Sequence, residues 1–160
     1  MKKLFLIALF FMGFTSLSNA QTISENALGL RLGDSDGMGA EISYQRALGE
    51  NNRLELDLGW RNSNNYDAFK LTGLYQWMFL LDGSFNWYVG VGGGVASFDG
   101  KNNLNNDQSQ TTIFAAGDIG IEYNFDIPLQ LSLDFRPEFG NNDFTDNTVF
   151  DIALGIRYQF

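Results

Sequence analysis

Ten charged residues invite a chemical reading first. Arg31, Glu41, Glu55, Asp57, Asp118, Glu122, Asp134, Arg136, Asp151 and Arg157 each sit in a short run where polar and apolar residues alternate. Alternation with period two puts every second side chain on one face of a strand, so carboxylates and guanidiniums collect on a common face. Enclosed away from water, such groups must pair, because an isolated buried charge is strongly unfavourable. Left open to water, they would line a passage for ions. The pattern predicts the first arrangement, a salt-bridged polar core with Arg136 and Arg157 facing Asp134, Asp151 and Asp118. Arg61 shares the polar phase. Gly90, Gly92, Gly94, Ala116, Gly120 and Gly155 share it too and leave room for the long charged side chains.

Other chemistries are poorly served. The chain has no His and no Cys, which removes thiol catalysis, disulfides, Cys-based metal sites and the usual activating base of a serine nucleophile. It also removes the acylated cysteine of a lipoprotein anchor. No serine stands in a telling context, so no catalytic residue is assigned, no cofactor is expected, and the chain is not read as an enzyme. Gly90-Val91-Gly92-Gly93-Gly94 superficially suggests a phosphate-cradling loop, but Val95, Ala96 and Ser97 continue an extended run where a helix N-terminus is needed. Asp34-Ser35-Asp36-Gly37 and Asn141-Asn142-Asp143-Phe144-Thr145-Asp146 have oxygen ligands but lack the closing bidentate Glu of a calcium loop, and Asp, Asn and Gly are what turns require. No metal site is assigned. The formal charge is −9 with no Lys/Arg cluster past the N-terminus, so nucleic-acid binding is excluded on electrostatic grounds.

The elements that must position these residues are strands. Beyond Gln21 no stretch has the i, i+3, i+4, i+7 spacing of an amphipathic helix. Period-two alternation marks eight segments instead, at 27–33, 39–47, 53–61, 67–79, 85–97, 111–125, 129–137 and 148–160. Short turns at 48–52, 80–84 and 126–128 alternate with connections that include longer, Asn-, Asp-, Gly- and Ser-rich stretches at 97–110 and 140–147. That rhythm predicts an all-β fold, an eight-stranded antiparallel up-and-down barrel with short turns at one end and longer loops at the other. The first segment falls short of the roughly 9–11 residues of a tilted membrane-crossing strand.

Alternation alone does not say which face is wet, and a soluble lipocalin-like barrel has the same period. Charges of both signs on a face that also carries Gly and Ala fit the inside of an eight-stranded barrel, which is only wide enough to be filled by side chains. Aromatic residues make up 15% of the chain and gather at strand ends. Trp77, Phe79, Phe85, Trp87, Tyr123, Phe125, Tyr158 and Phe160 flank the short-turn end, and Trp60, Tyr66, Phe69, Phe98, Phe139, Phe144 and Phe150 lie nearer the loops. Aromatic girdles at both ends belong to a transmembrane barrel.

Residues 1–20 read as an address. Lys2 and Lys3 precede an apolar run too short for the roughly 20 residues of a spanning helix, followed by Ser18-Asn19-Ala20. Cleavage between Ala20 and Gln21 is expected, leaving 21–160 as the mature barrel domain and moving the formal charge from −9 to −11.

The last eight residues, Ala153-Leu154-Gly155-Ile156-Arg157-Tyr158-Gln159-Phe160, resemble the terminal assembly signal of outer-membrane barrels. Gly155, Tyr158 and Phe160 match it, and Ala153 departs from its usual polar first position. The segments 87–95, 120–129 and 133–139 are similar to strand and turn segments of the OmpA/OmpX-like superfamily of small outer-membrane barrels. The resemblance implies the cell outer membrane, insertion by the barrel-assembly machinery, and contact with outer-membrane lipids and lipopolysaccharide, as a monomer. Acidic loops sharing divalent ions with lipopolysaccharide are a further expectation. The chain ends with its eighth segment, so the periplasmic cell-wall-binding domain of OmpA is not expected. A structural or surface-interaction role, in envelope integrity or adhesion, is the leading expectation. A porin-like or lateral passage for small solutes is the alternative, and a lipid-modifying enzyme comes last.

Overall fold

A computed structural model of the protein describes residues 23–33, 39–62, 66–100, 109–140 and 148–160. The expected cleavage site at Ala20 and Gln21 and the acidic loops at 34–37 and 141–146 lie outside them. Eight strands follow one another: β1 (Asn26–Leu32), β2 (Ala40–Ala47), β3 (Asn52–Asn62), β4 (Tyr66–Asp82), β5 (Phe85–Gly100), β6 (Ser109–Asn124), β7 (Leu129–Gly140) and β8 (Thr148–Gln159). Each pairs antiparallel with the next, and β1 pairs with β8 to close a barrel. The seam is finished by mutual backbone hydrogen bonds between Asn26 and Phe160.

The second short turn differs from the sequence expectation in an informative way. The turn expected over 80–84 is only Gly83 and Ser84, because β4 runs on to Asp82 through a bulge between Leu80 and Asp82. Gly83 takes the left-handed conformation, with φ of 55°, that such a tight reversal favours. β1 and β2 have 7 and 8 residues, both shorter than the roughly 9–11 of a full membrane crossing.

The register fixes the shape. Following paired residues from Leu28 through Tyr44, Leu56, Gly73, Gly93, Ala115 and Phe139 leads to Thr148. Leu28 itself pairs on β8 with Tyr158, ten residues further on. A shear of ten over eight strands, with a rise of about 3.3 Å per residue and about 4.8 Å between strands, tilts the strands by about 40°. Each residue then climbs about 2.5 Å along the barrel axis.

On that scale the outward-facing aromatics form two belts. Trp77, Phe79, Phe85, Trp87, Tyr123, Tyr158 and Phe160 ring the short-turn end, and Trp60, Phe69, Phe139 and Phe150 ring the other. The belts are roughly 20–25 Å apart, the height of an outer-membrane apolar band. Tyr66, Phe98 and Phe144 fall outside the residues whose side chains are described. At the short-turn end the strands finish almost level, whereas at the loop end β4, β5 and β6 stand roughly 15–20 Å above β1 and β2.

Polarity is inverted relative to a soluble domain. Leu30, Leu56, Ile119, Leu133, Leu154 and Ile156 point outward and are exposed, while alternate residues of the same strands are buried and mostly polar. Large inward side chains lie over inward glycines. A Cβ at Gly120 would come within 2.5 Å of the Tyr88 ring, and one at Gly94 within 2.6 Å of the Phe114 ring. At the seam, a Cβ on Gly29 would collide with the backbone of Ile156.

Candidate functional site

The lumen is where chemistry-bearing side chains converge, and it is built in tiers by the register. Nearest the short turns, Arg53 Nη1 donates to Glu122 Oε2 at 2.5 Å and Nε to Gln76 Oε1 at 2.5 Å. The Arg53 guanidinium also lies 4.7 Å over the Tyr88 ring. Arg157 donates to Ser43 at 2.9 Å, to Ser132 at 2.7 Å and to Glu55 at 3.3 Å. In the middle, Arg136 Nη2 reaches across the barrel from β7 to β3, to Glu55 at 3.0 Å and Asp57 at 2.7 Å. Arg31 alone holds three carboxylates, Glu41 at 2.9 Å, Asp134 at 2.5 Å and Asp151 at 2.7 Å. Nearest the loops, Lys70 pairs with Glu138 at 2.6 Å and lies 5.2 Å over the Phe114 ring.

All ten charged residues singled out in the sequence are buried. Pairing them by burial in a narrow space is what makes their enclosure tolerable. Arg136 stands directly across the ladder from Asp151, as expected, but several hydrogen-bond partners differ. Asp134 and Asp151 accept from Arg31, and Asp118 accepts from Gln76. Arg136 and Arg157 both engage Glu55 instead. Alternation assigns a face but no register, and a long guanidinium reaches across a lumen this narrow rather than along its own wall. Arg61 departs from the lumen as well. It sits at the loop end of β3 and is exposed.

Sequence reasoning missed Arg53, Lys70, Gln45, Gln76, Tyr88 and Glu138, all buried inside. The signal was present: Arg53 stands two residues before Glu55, and Glu138 two after Arg136, in the same phase. The terminal-strand residues divide by face. Gly155 points inward beneath Ser132 and Arg157, while Tyr158 and Phe160 are exposed on the outer face, with ring centroids 6.3 Å apart.

The closed eight-stranded antiparallel barrel is apolar outside, belted by aromatics and filled by paired charges, the reverse of a soluble barrel's polarity. The chain has the eight-stranded barrel fold of small outer-membrane proteins. Among solved structures this barrel is similar to the N-terminal β-barrel domain of Pseudomonas aeruginosa OprF, with a TM-score of 0.66 and 14% identity over 89% of this chain and 100% of that one. It is also similar to Neisserial surface protein A, with a TM-score of 0.61 and 14% identity over 84% of this chain and 93% of that one. A third is Ail, the attachment invasion locus protein of Yersinia pestis, in complex with the heparin analogue sucrose octasulfate. Its TM-score is 0.56 with 14% identity over 86% of this chain and 97% of that one. No protein-family model matches the sequence, and no curated protein sequence matches it. At these identities the barrel's likeness is one of fold, and one fold hosts many functions.

Proposed function

We propose that this chain is an integral protein of the cell outer membrane, reached through a cleaved signal peptide, whose plugged barrel has a structural and surface-interaction role. The observation that carries the reading is the apolar outer wall held between two aromatic belts around a lumen crossed by ion pairs. Ion pairs that span from wall to wall stiffen the cylinder and block it, which suits display better than flow.

The display surface is the tall side of the barrel. β4, β5 and β6 continue roughly 10 Å past the upper aromatic belt. There Asp99 and Thr111 are exposed, and Thr111 Oγ1 donates to Ser97 Oγ at 3.4 Å. Such a polar sheet face stands clear of the bilayer, where an adhesive or envelope partner meets it. Lipopolysaccharide and outer-membrane lipids are the neighbours expected for the lower wall, the protein acting as a monomer. Tyr158 and Phe160, on the outer face of the closing strand, are proposed as the part read by the barrel-assembly machinery, with Gly155 behind them.

Single-channel recording of the refolded barrel in a planar bilayer tests the plugged reading. No large, steady conductance is expected. An ion-selective current that persists for seconds would instead favour the passage for small solutes, for which the charged rather than apolar lumen lining is the supporting feature. Fractionation of cells producing the full chain tests the location, with recovery expected in the outer membrane and not in the soluble fraction.

A further inference from the structure

We propose that the outer wall at the short-turn end binds one zwitterionic phospholipid headgroup, its phosphate held by Arg46 and its ammonium by Glu25. The inference rests on the reading of the chain as an outer-membrane barrel, whose short turns face the periplasm, and names the lipid that one part of its wall selects. That wall is otherwise uncharged. Among the described residues, Arg46 is the one charged side chain that faces outward at or between the two aromatic belts. A cation facing lipid is costly in the middle of the apolar band and tolerated at its edge.

The register puts Arg46 at that edge. Its Cα lies within roughly 2 Å of the axial height of Trp77, Trp87 and Tyr158. The aromatic belt is interrupted at the same place. Asn52 on β3 stands across the ladder from Trp77, and Asn26 on β1 exchanges backbone hydrogen bonds with Phe160. Between those two asparagines β2 presents Arg46, so a polar window about 10 Å wide, two strand spacings, opens in the ring. Within it Arg46 Nη1 donates to Asn26 Oδ1 at 3.0 Å, and the same oxygen accepts from Tyr44 Oη at 2.7 Å.

Glu25 completes the window. Its carbonyl accepts from Ala47 N–H at 2.9 Å, which anchors it beside β2, and its Oε1 lies 3.4 Å from Arg46 Nη2. The two side chains are nevertheless 50% and 73% exposed. An ion pair this long and this wet contributes little, so both groups keep their capacity for a second partner. A guanidinium grips a phosphate through two parallel N–H donors. Order along the axis supplies the specificity: Glu25 precedes β1 and lies roughly 5 Å beyond Arg46 on the short-turn side. A headgroup of the periplasmic leaflet presents its phosphate nearer the apolar band and its terminal amine further out, the complementary sequence of charges. A primary ammonium donates hydrogen bonds to a carboxylate, whereas a quaternary choline has no N–H and a glycerol headgroup has no positive charge. The pair therefore selects phosphoethanolamine.

The test is native mass spectrometry of the full barrel folded in detergent micelles, titrated with short-chain phosphatidylethanolamine, phosphatidylcholine and phosphatidylglycerol. One phosphatidylethanolamine site is expected, roughly tenfold tighter than for the other two lipids, the equivalent of one charge-assisted hydrogen bond. Glu25→Gln should abolish that preference and leave phosphatidylcholine binding unchanged. Arg46→Gln should weaken the binding of all three, while Arg61→Gln, exposed at the opposite end, should alter nothing. Equal affinity for the three lipids, a preference for phosphatidylglycerol, or a preference that survives Glu25→Gln overturns the proposal. A chain that folds in buffer without detergent overturns the membrane reading along with it, whereas an inserted barrel without lipid preference overturns this proposal alone.

Discussion

Arg31 gathers three carboxylates, and replacing it with Met probes how much of the barrel's stability rests on that one guanidinium. Glu41, Asp134 and Asp151 are no more than 3% exposed, and each lies within 2.9 Å of Arg31. Removing one partner of a single buried pair costs about 3–5 kcal/mol, because the other is left charged and dry. Three acids share one partner here, so their contributions are not additive, and the single-pair figure serves as the floor. A typical domain has about 5–15 kcal/mol in total, so Arg31→Met removes a large part of it.

The assay is urea unfolding of the refolded barrel in micelles, followed by the fluorescence of the outward-facing Trp60, Trp77 and Trp87. With a denaturant slope of about 2 kcal/mol per molar, the midpoint should fall by about 2 M. Adding Asp134→Asn and Asp151→Asn to Arg31→Met should recover most of that loss. It leaves only Glu41 of the three acids, and Glu41 still lies 3.7 Å from Arg136. A single variant that unfolds within about 0.5 M of the parent would refute the reasoning. So would a triple variant no more stable than the single one.

Three further outcomes follow from the same geometry. Ile119→Arg, on the outer wall midway between the aromatic belts, should destabilise the barrel in lipid by about 2–4 kcal/mol, whereas Ser97→Arg above the belt should cost about 0–1 kcal/mol; urea titration in liposomes compares them. Gly29→Val should prevent β1 from closing on β8, seen as loss of the compact, heat-modifiable band on gels, while Gly73→Ala, whose nearest neighbour is 3.5 Å away, should fold normally. Removing the outer-face aromatics with Tyr158→Ser and Phe160→Ser should lower the amount inserted into the outer membrane of living cells while leaving refolding in detergent intact, and equal yields in cells would remove these residues from an assembly role.

Much of this architecture was legible in the sequence because strand periodicity is local. Leu54 through Trp60 and Leu129 through Phe135 announce their two faces in seven residues each. The polarity of those faces also came from composition, since Arg136 and Gly120 share an inner phase that a soluble barrel would fill with Leu and Val. The partners did not come through, because they depend on register. That Arg136 meets Glu55 and Asp57 follows from the shear of the whole cylinder, and no short window contains it. Arg53 escaped notice beside a turn, where a charge ordinarily faces solvent. Arg61 was misassigned for the converse reason: its phase is inward, but β3 at that height has already cleared the enclosed section. The bulge between Leu80 and Asp82 likewise breaks the phase that sequence reasoning followed.

The pairing of the first strand with the last governs the order of events during biogenesis. Arg31 finds Asp134 and Asp151 at separations of 103 and 120 residues, so none of its tier can be completed while the chain is still arriving. Contacts this distant carry the full entropy of loop closure before they return any stabilisation. Until β8 is delivered, β1 offers an open edge and its leucines to whatever is near. Closure of the cylinder, and with it the completed Arg31 tier, therefore comes last, once the whole chain is present.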